Sequence, residues 1–304
     1  MKLCSFKTGD TERLGCVVGN AADKILDISE AVGGTDILLL VENDSVVRQI
    51  EKSVTEMRRR NDKVYDLDAV QILPPIARPG KIVCLAGNYG AHITESGYVE
   101  PETRANFTQQ LFLKPSSSLL GDTGVIELGK ANHRVGWETE LAVVIGKGGK
   151  NISAADAYDH VFGYTIMNDI SERGLNSTIE NRHLREMDGF CDWLAGKWFD
   201  GFAPCGPWIV TKEEVPRPYE LEIKFYLNGE LRQHGSTVDM IFSIPEQIEF
   251  ISSIMTLEPG DMISTGTPAG AGLGDAKTSL ENGDDLICEI EGIGRLRNSV
   301  RCSA

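Results

Sequence analysis

The sequence predicts a β-rich α+β fold, with a small amino-terminal α/β domain over residues 1–75 and a larger sheet-dominated domain over residues 76–304. Apolar runs after Gly80 are short and broken by Gly, Pro and Asn, the pattern of strands joined by turns rather than of strands alternating with long helices. The chain of 304 residues carries 32 Gly and 12 Pro, which supplies many turns. Helical periodicity is confined to a few stretches.

The elements follow in order. Residues 2–6, 14–18 and 24–28 read as strands. Val46, Val47, Ile50, Val54 and Met57 then recur at helical spacing behind Ser45 as N-cap. Pro74-Pro75 and Arg78-Pro79-Gly80 continue neither a helix nor a central strand and mark the linker. Beyond it, residues 82–86, 111–114, 125–128, 137–145, 161–167, 207–210, 221–227, 262–265 and 286–290 read as strands. Asn228-Gly229 predicts a hairpin, because both central residues of a type I′ turn need positive φ. Ser243-Ile244-Pro245-Glu246 is a capping box, and Ile248, Ile251 and Met255 give the helix behind it an apolar face. A shorter helix is expected from Ser153.

Lys+Arg number 30 against 45 Asp+Glu, a formal net charge of −15. Such a field repels polyanions, so nucleic-acid and anionic-membrane partners are not expected and small molecules are. Lys2, Lys7, Asp10 and Glu12 interrupt the stretch where a secretory signal would be apolar. The apolar runs at 37–41 and 141–145 fall far short of the roughly 20 residues that cross a bilayer. A soluble, cytoplasmic protein is expected. Seven cysteines without C-x-x-C spacing argue for reduced packing residues rather than zinc or redox sites.

The most informative segment is Gly136-Trp137-Glu138-Thr139-Glu140 and the apolar run behind it. Alternation along a strand projects Glu138 and Glu140 from one face. Two carboxylates so close repel unless a cation or a proton lies between them, and hard oxygen donors suit Mg²⁺, Mn²⁺ or Ca²⁺ better than zinc. Alternating acidic and apolar residues also describe an ordinary half-solvated strand. Asp169 ends a second apolar run, 161–168, where an acid is expected to face a site rather than bulk water.

Other residue pairs carry chemistry less distinctly. His92 and Glu95 lie one helical turn apart, so the carboxylate could orient the imidazole as a base, although a surface His beside a Glu needs no such role. Lys197 sits between Gly196 and Trp198 and also reads as a surface cation with its stem on an aromatic ring. Thr267 precedes Pro268 in a glycine-rich stretch from Gly266 to Gly274, which lacks a P-loop lysine and dinucleotide-binding spacing. His133, His160 and His234 read as surface or structural residues.

Taken together, Gly87-Asn88-Tyr89-x-x-His92-x-x-Glu95, Glu138-x-Glu140, Gly163-Tyr164-x-x-x-Asn168-Asp169 with Arg173, Gly196-Lys197, Gly206-Pro207-Trp208 and Thr265-Gly266-Thr267-Pro268 resemble the fumarylacetoacetate hydrolase family. The resemblance covers most of residues 80–304. It implies a mixed β-sandwich roll, usually a homodimer, holding Mg²⁺ or Mn²⁺ through Glu138, Glu140 and Asp169, with no organic cofactor. It also implies a His92–Glu95 pair on a mobile lid, Lys197 facing the substrate, and Tyr89, Arg173, Asn176 and Thr267 as substrate contacts.

The reaction so implied is metal-dependent hydrolysis of a carbon–carbon bond in a 2,4-dioxo acid, giving a carboxylic acid and pyruvate or a related 2-oxo acid. A decarboxylase, hydratase or isomerase acting on a 2-oxo acid is the alternative on the same scaffold, and a non-catalytic ligand-binding module a further one. Two features depart from the family pattern. Asn176 stands where many relatives carry a glutamine near the active-site water. The stretch 177–194 is longer than in compact relatives and carries Arg182, His183 and Arg185, which could meet a substrate carboxylate, lie in a solvated loop or form a dimer contact.

Overall fold

The computed structural model describes residues 1–19, 22–60, 63–99, 106–130, 134–273 and 278–303. His133, Gly274 and the side chain of Ser45 lie outside the described part. Its largest sheet runs through Val64–Asp66, Lys24–Asp27, Thr11–Val18, Lys2–Thr8, Ala203–Thr211, Val161–Asn168, Thr139–Ile145, Met262–Ser264, Ile82–Ala86 and Gln110–Lys114, each bonded to the next. Along this path pairing is antiparallel except between Met262–Ser264 and Ile82–Ala86. A second sheet orders Glu230–Ser236, Glu222–Leu227, Asp285–Ile290, Gly294–Cys302 and Val125–Leu128. The architecture is therefore mixed and sheet-dominated, as the sequence predicts.

The amino-terminal strands extend the large sheet, since Leu3 pairs with Ile209. Leu3, Leu14, Leu26, Ile50 and Val54 share one core with Ile82, Ala142, Val144 and Ile209. The helix that carries Ile50 and Val54 is Asp44–Arg60, beginning one residue before the predicted N-cap.

Residues 139–145 form the central strand, and all seven are buried. Alternation there does not separate core from solvent. Leu141, Val143 and Ile145 enter the core beneath the second sheet, while Ala142 and Val144 enter the core shared with the amino-terminal strands. A strand covered on both faces reads as a continuous apolar run. The expected strand over 137–145 is split: Val135–Gly136 pairs separately with Ser171–Glu172, and regular pairing resumes at Thr139. Trp137 lies between, stacked on Phe225 of the second sheet at 5.0 Å.

Local signals were accurate where a turn or cap is self-contained. Asn228 and Gly229 both have positive φ, and Leu227 pairs with Glu230 across them. The capping box at Ser243 and Glu246 is formed. Ser153 starts no α-helix: its hydroxyl bonds Asp156 in a local turn and only a 3₁₀ segment, Ala157–His160, follows. Most of helix Asp188–Ala195 falls in the stretch 177–194, for which the sequence reading offers no helix. Among the described residues no helix is long and apolar enough to cross a membrane.

Leu141, fully buried in the central strand, should cost about 2–5 kcal/mol when truncated to alanine. Urea unfolding of Leu141→Ala checks this, and a change within about 0.5 kcal/mol, the range of surface substitutions, would contradict the placement.

Candidate divalent metal centre and active site

Antiparallel pairing of the central strand with Val161–Asn168 sets Thr139 opposite Asn168 and Glu140 opposite Met167. The start of one strand thus meets the end of the other, which is where Glu138, Glu140 and Asp169 sit. Two bonds fix the junction: Glu138 N donates to Asn168 Oδ1 at 2.9 Å, and Asp169 N to Glu138 O at 2.8 Å. One ligand oxygen from each carboxylate lies within 4.8 Å of the others, and all three side chains are buried.

Three cations surround two of these acids. Lys197 Nζ donates to Glu138 Oε2 at 2.7 Å and to Asp169 Oδ2 at 2.6 Å. Lys114 Nζ donates to Asp169 Oδ1 at 2.5 Å and to Ile170 O at 3.1 Å. Arg173 Nη2 binds Glu138 Oε1, and its Nε donates to Gly272 O at 2.8 Å. Lys197 also lies 4.9 Å from the Phe112 ring centre and 5.5 Å from that of Trp193. Burial opposes its charge, but Asp169 and Glu138 outweigh burial and hold the ammonium protonated above the usual lysine range.

Glu140 is treated differently. Its Oε2 accepts from Ser264 Oγ at 2.5 Å and from Gly266 N at 2.9 Å, and among the described residues it has no ion pair. Burial, together with the charges of Asp169 and Glu138, pushes its carboxyl up to about 8. Burial works against ionisation of Glu138 too, yet Lys197, Arg173 and His92 hold that carboxyl well below the carboxylate range. Three converging hard oxygen donors, one of them kept protonated by burial and by repulsion from the other two, fit a divalent cation: the ion would relieve the repulsion that a proton on Glu140 relieves without it.

His92 and Glu95 occupy the short helix Gly90–Glu95. His92 Nδ1 meets Glu95 Oε1 at 2.7 Å. Glu95 also accepts from Gly270 N at 2.7 Å and Ala271 N at 3.3 Å, which ties the helix to the glycine-rich loop. Tyr89, at the start of this helix, is buried with its hydroxyl unpartnered among the described residues. Burial first, then Glu140 and Asp239, keeps that phenol protonated, so it remains a donor.

The other sequence candidates are engaged elsewhere. The Thr267 hydroxyl donates to Thr139 O and accepts from Gln233 Nε2, both at 2.9 Å, so it braces the loop against the central strand. Asn176 donates its amide to Asp192 Oδ1 at 2.8 Å. Arg182 pairs with the same Asp192, Arg185 pairs with Asp188, and His183 is exposed. His160 bonds Lys147 O, and His234 bonds Glu222. Lys114 was missed: at the end of a predicted strand a lysine reads as solvent-facing, and its partner Asp169 is 55 residues away in sequence.

Glu140→Gln should weaken Mg²⁺ or Mn²⁺ binding by about tenfold or more, read by calorimetric titration; unchanged affinity would remove Glu140 from the ligand set. Because a cation needs the ionised carboxylate, binding near pH 7 should release close to one proton. Affinity should rise with pH up to about 8 and level off above it. Calorimetry in buffers of different ionisation enthalpy measures the proton, and no release at pH 7 would contradict the assignment.

Residues 81–301 match the family description "Fumarylacetoacetate (FAA) hydrolase C-terminal". The chain is 38% identical over 286 residues to oxaloacetate tautomerase YisK of Bacillus subtilis, covering 92% of this chain and 90% of that protein. It is 39% identical over 232 residues to a human mitochondrial oxaloacetate tautomerase, covering 76% and 69% of the two chains. Among solved structures, maleylpyruvate hydrolase from Sphingobium sp. SYK-6, in complex with manganese(II) and pyruvate, superposes with a TM-score of 0.78 at 30% identity over all of both chains. The chain belongs to the fumarylacetoacetate hydrolase family.

Proposed function

We propose that this protein is a divalent-cation-dependent tautomerase that interconverts the enol and keto forms of a 2-oxo dicarboxylate of the oxaloacetate type. The observation that carries this reading is the match along 92% of the chain to an oxaloacetate tautomerase. The site chemistry supports it. Glu138, Glu140 and Asp169 would hold Mg²⁺ or Mn²⁺, and such an ion supplies Lewis-acid polarisation of the 2-oxo oxygen.

The remaining work falls to the chain's own groups. Glu95 accepts from His92 Nδ1–H and leaves Nε2 as the free atom, able to take a proton from substrate carbon 3 or return it. The fixed ammonium of Lys197 favours negative charge on the substrate oxygen. In the enol-to-keto direction the enol oxygen loses its proton and carbon 3 gains one, so the reaction consumes no water. Substrate access with exclusion of bulk water is assigned to the Gly90–Glu95 helix. The exposed Ile179, Leu184, Met187 and Phe190 support assembly as a homodimer, which sedimentation can test.

Hydrolysis of a 2,4-dioxo acid, with His92 deprotonating water, is the second reading, favoured by the likeness to maleylpyruvate hydrolase. Against it stands the engagement of Asn176: the side chain at the family's water-holding position donates its amide to Asp192.

Following loss of the enol absorbance of oxaloacetate, alongside release of pyruvate from acylpyruvates, separates the two. The tautomerase reading expects cation-dependent acceleration of the first, and His92→Ala should lower it about 10²–10⁴-fold. Pyruvate release from acylpyruvates without acceleration of oxaloacetate tautomerisation would overturn this reading in favour of hydrolysis.

A further inference from the structure

Glu138, in the carboxylate cluster, and Glu95, on the short helix, are both anchored on the loop segment formed by Gly270, Ala271 and Gly272. On one side, Arg173 bridges Glu138 Oε1 to Gly272 O. Trp137, the residue before Glu138, accepts from Gly272 N at 2.9 Å and donates Nε1–H to Gly270 O at 3.1 Å. On the other side, Gly270 N and Ala271 N both donate to the Glu95 carboxylate, which also holds His92.

The segment has little room to move independently of Glu138. A Cβ on Gly136 would lie 1.7 Å from Gly272 O, and one on Gly272 would lie 2.6 Å from Gly136 Cα and from Trp137 N. Contact this close requires glycine on both sides and makes the 136–138 and 270–272 segments shift together. Arg173 is thus committed to bonds within the protein on two of its nitrogens.

We infer that Arg173 is a positioning residue that couples occupancy of the carboxylate cluster to closure of the Gly90–Glu95 helix through residues 270–272. A cation that fixes the Glu138 carboxylate fixes Arg173 and Gly272 with it, and this presents the Gly270 and Ala271 amides to Glu95 in the register that holds His92 over the site. By reciprocity, whatever holds the helix down favours the cation. The inference rests on the carboxylates being the cation site, and not on which reaction the enzyme performs.

Hydrogen exchange of residues 90–97, followed with and without saturating Mn²⁺, tests it, with calorimetry reporting cation binding on the same samples. In the wild-type protein Mn²⁺ should slow exchange of these amides by about fivefold or more, the lower range of ordinary coupling between sites. In Arg173→Met, saturated with Mn²⁺, the slowing should disappear. Gly272→Ala, which leaves every charge in place, should do the same, with circular dichroism and thermal melting verifying that both variants are folded. Exchange in the wild type that ignores bound Mn²⁺, or a folded Arg173→Met protein that responds as the wild type does, overturns the coupling alone. Absence of Mn²⁺ binding to the wild type overturns the cation site and the coupling with it.

Discussion

The site depends on the repulsion among three carboxylates held close together out of water. Two carboxylates a few ångströms apart cannot both ionise cheaply in a buried setting, and a third makes the problem worse. The protein answers asymmetrically. Glu138 and Asp169 are given lysine and arginine partners, whereas among the described residues Glu140 receives only a hydroxyl and a backbone amide. The position without an ion pair would therefore take either a proton or a divalent cation.

This arrangement is a consequence of topology. A carboxylate cluster needs a backbone that brings residues from separate stretches of sequence to one spot and does not relax. Antiparallel pairing across Thr139 and Asn168 supplies that convergence, and burial of both faces of the central strand supplies the rigidity. The adjoining strand Met262–Ser264 brings Ser264 and the Gly266 amide to Glu140, while strand Gln110–Lys114 brings Lys114 to Asp169. Four segments of the large sheet thus contribute to one centre, each through residues at or just beyond a strand end.

Much of this was legible in the sequence, for physical reasons that differ by residue. Glu138-x-Glu140 is visible because strand alternation alone puts both acids on one side, and Asp169 because an acid ending an apolar run has no ordinary place in a core. The hairpin at Asn228-Gly229 and the cap at Ser243 are local and need no tertiary information. What stayed hidden depends on partners distant in sequence. Lys114 looks like a surface residue until its strand is placed beside Asp169, and Glu95 looks like a partner for His92 alone until the loop at Gly270 is folded against it. Arg173 suggests a substrate contact in sequence, yet its two bonded nitrogens face Glu138 and Gly272 O, an allocation that only the packing of Gly136 on Gly272 makes necessary.

The most direct test of the central claim is anomalous X-ray diffraction from crystals of the protein grown with stoichiometric Mn²⁺. The account predicts one dominant manganese peak per chain, within coordination distance of oxygens from Glu138, Glu140 and Asp169. A dominant peak elsewhere, or three acids fully satisfied by Lys114, Lys197 and Arg173 with no peak among them, would contradict it.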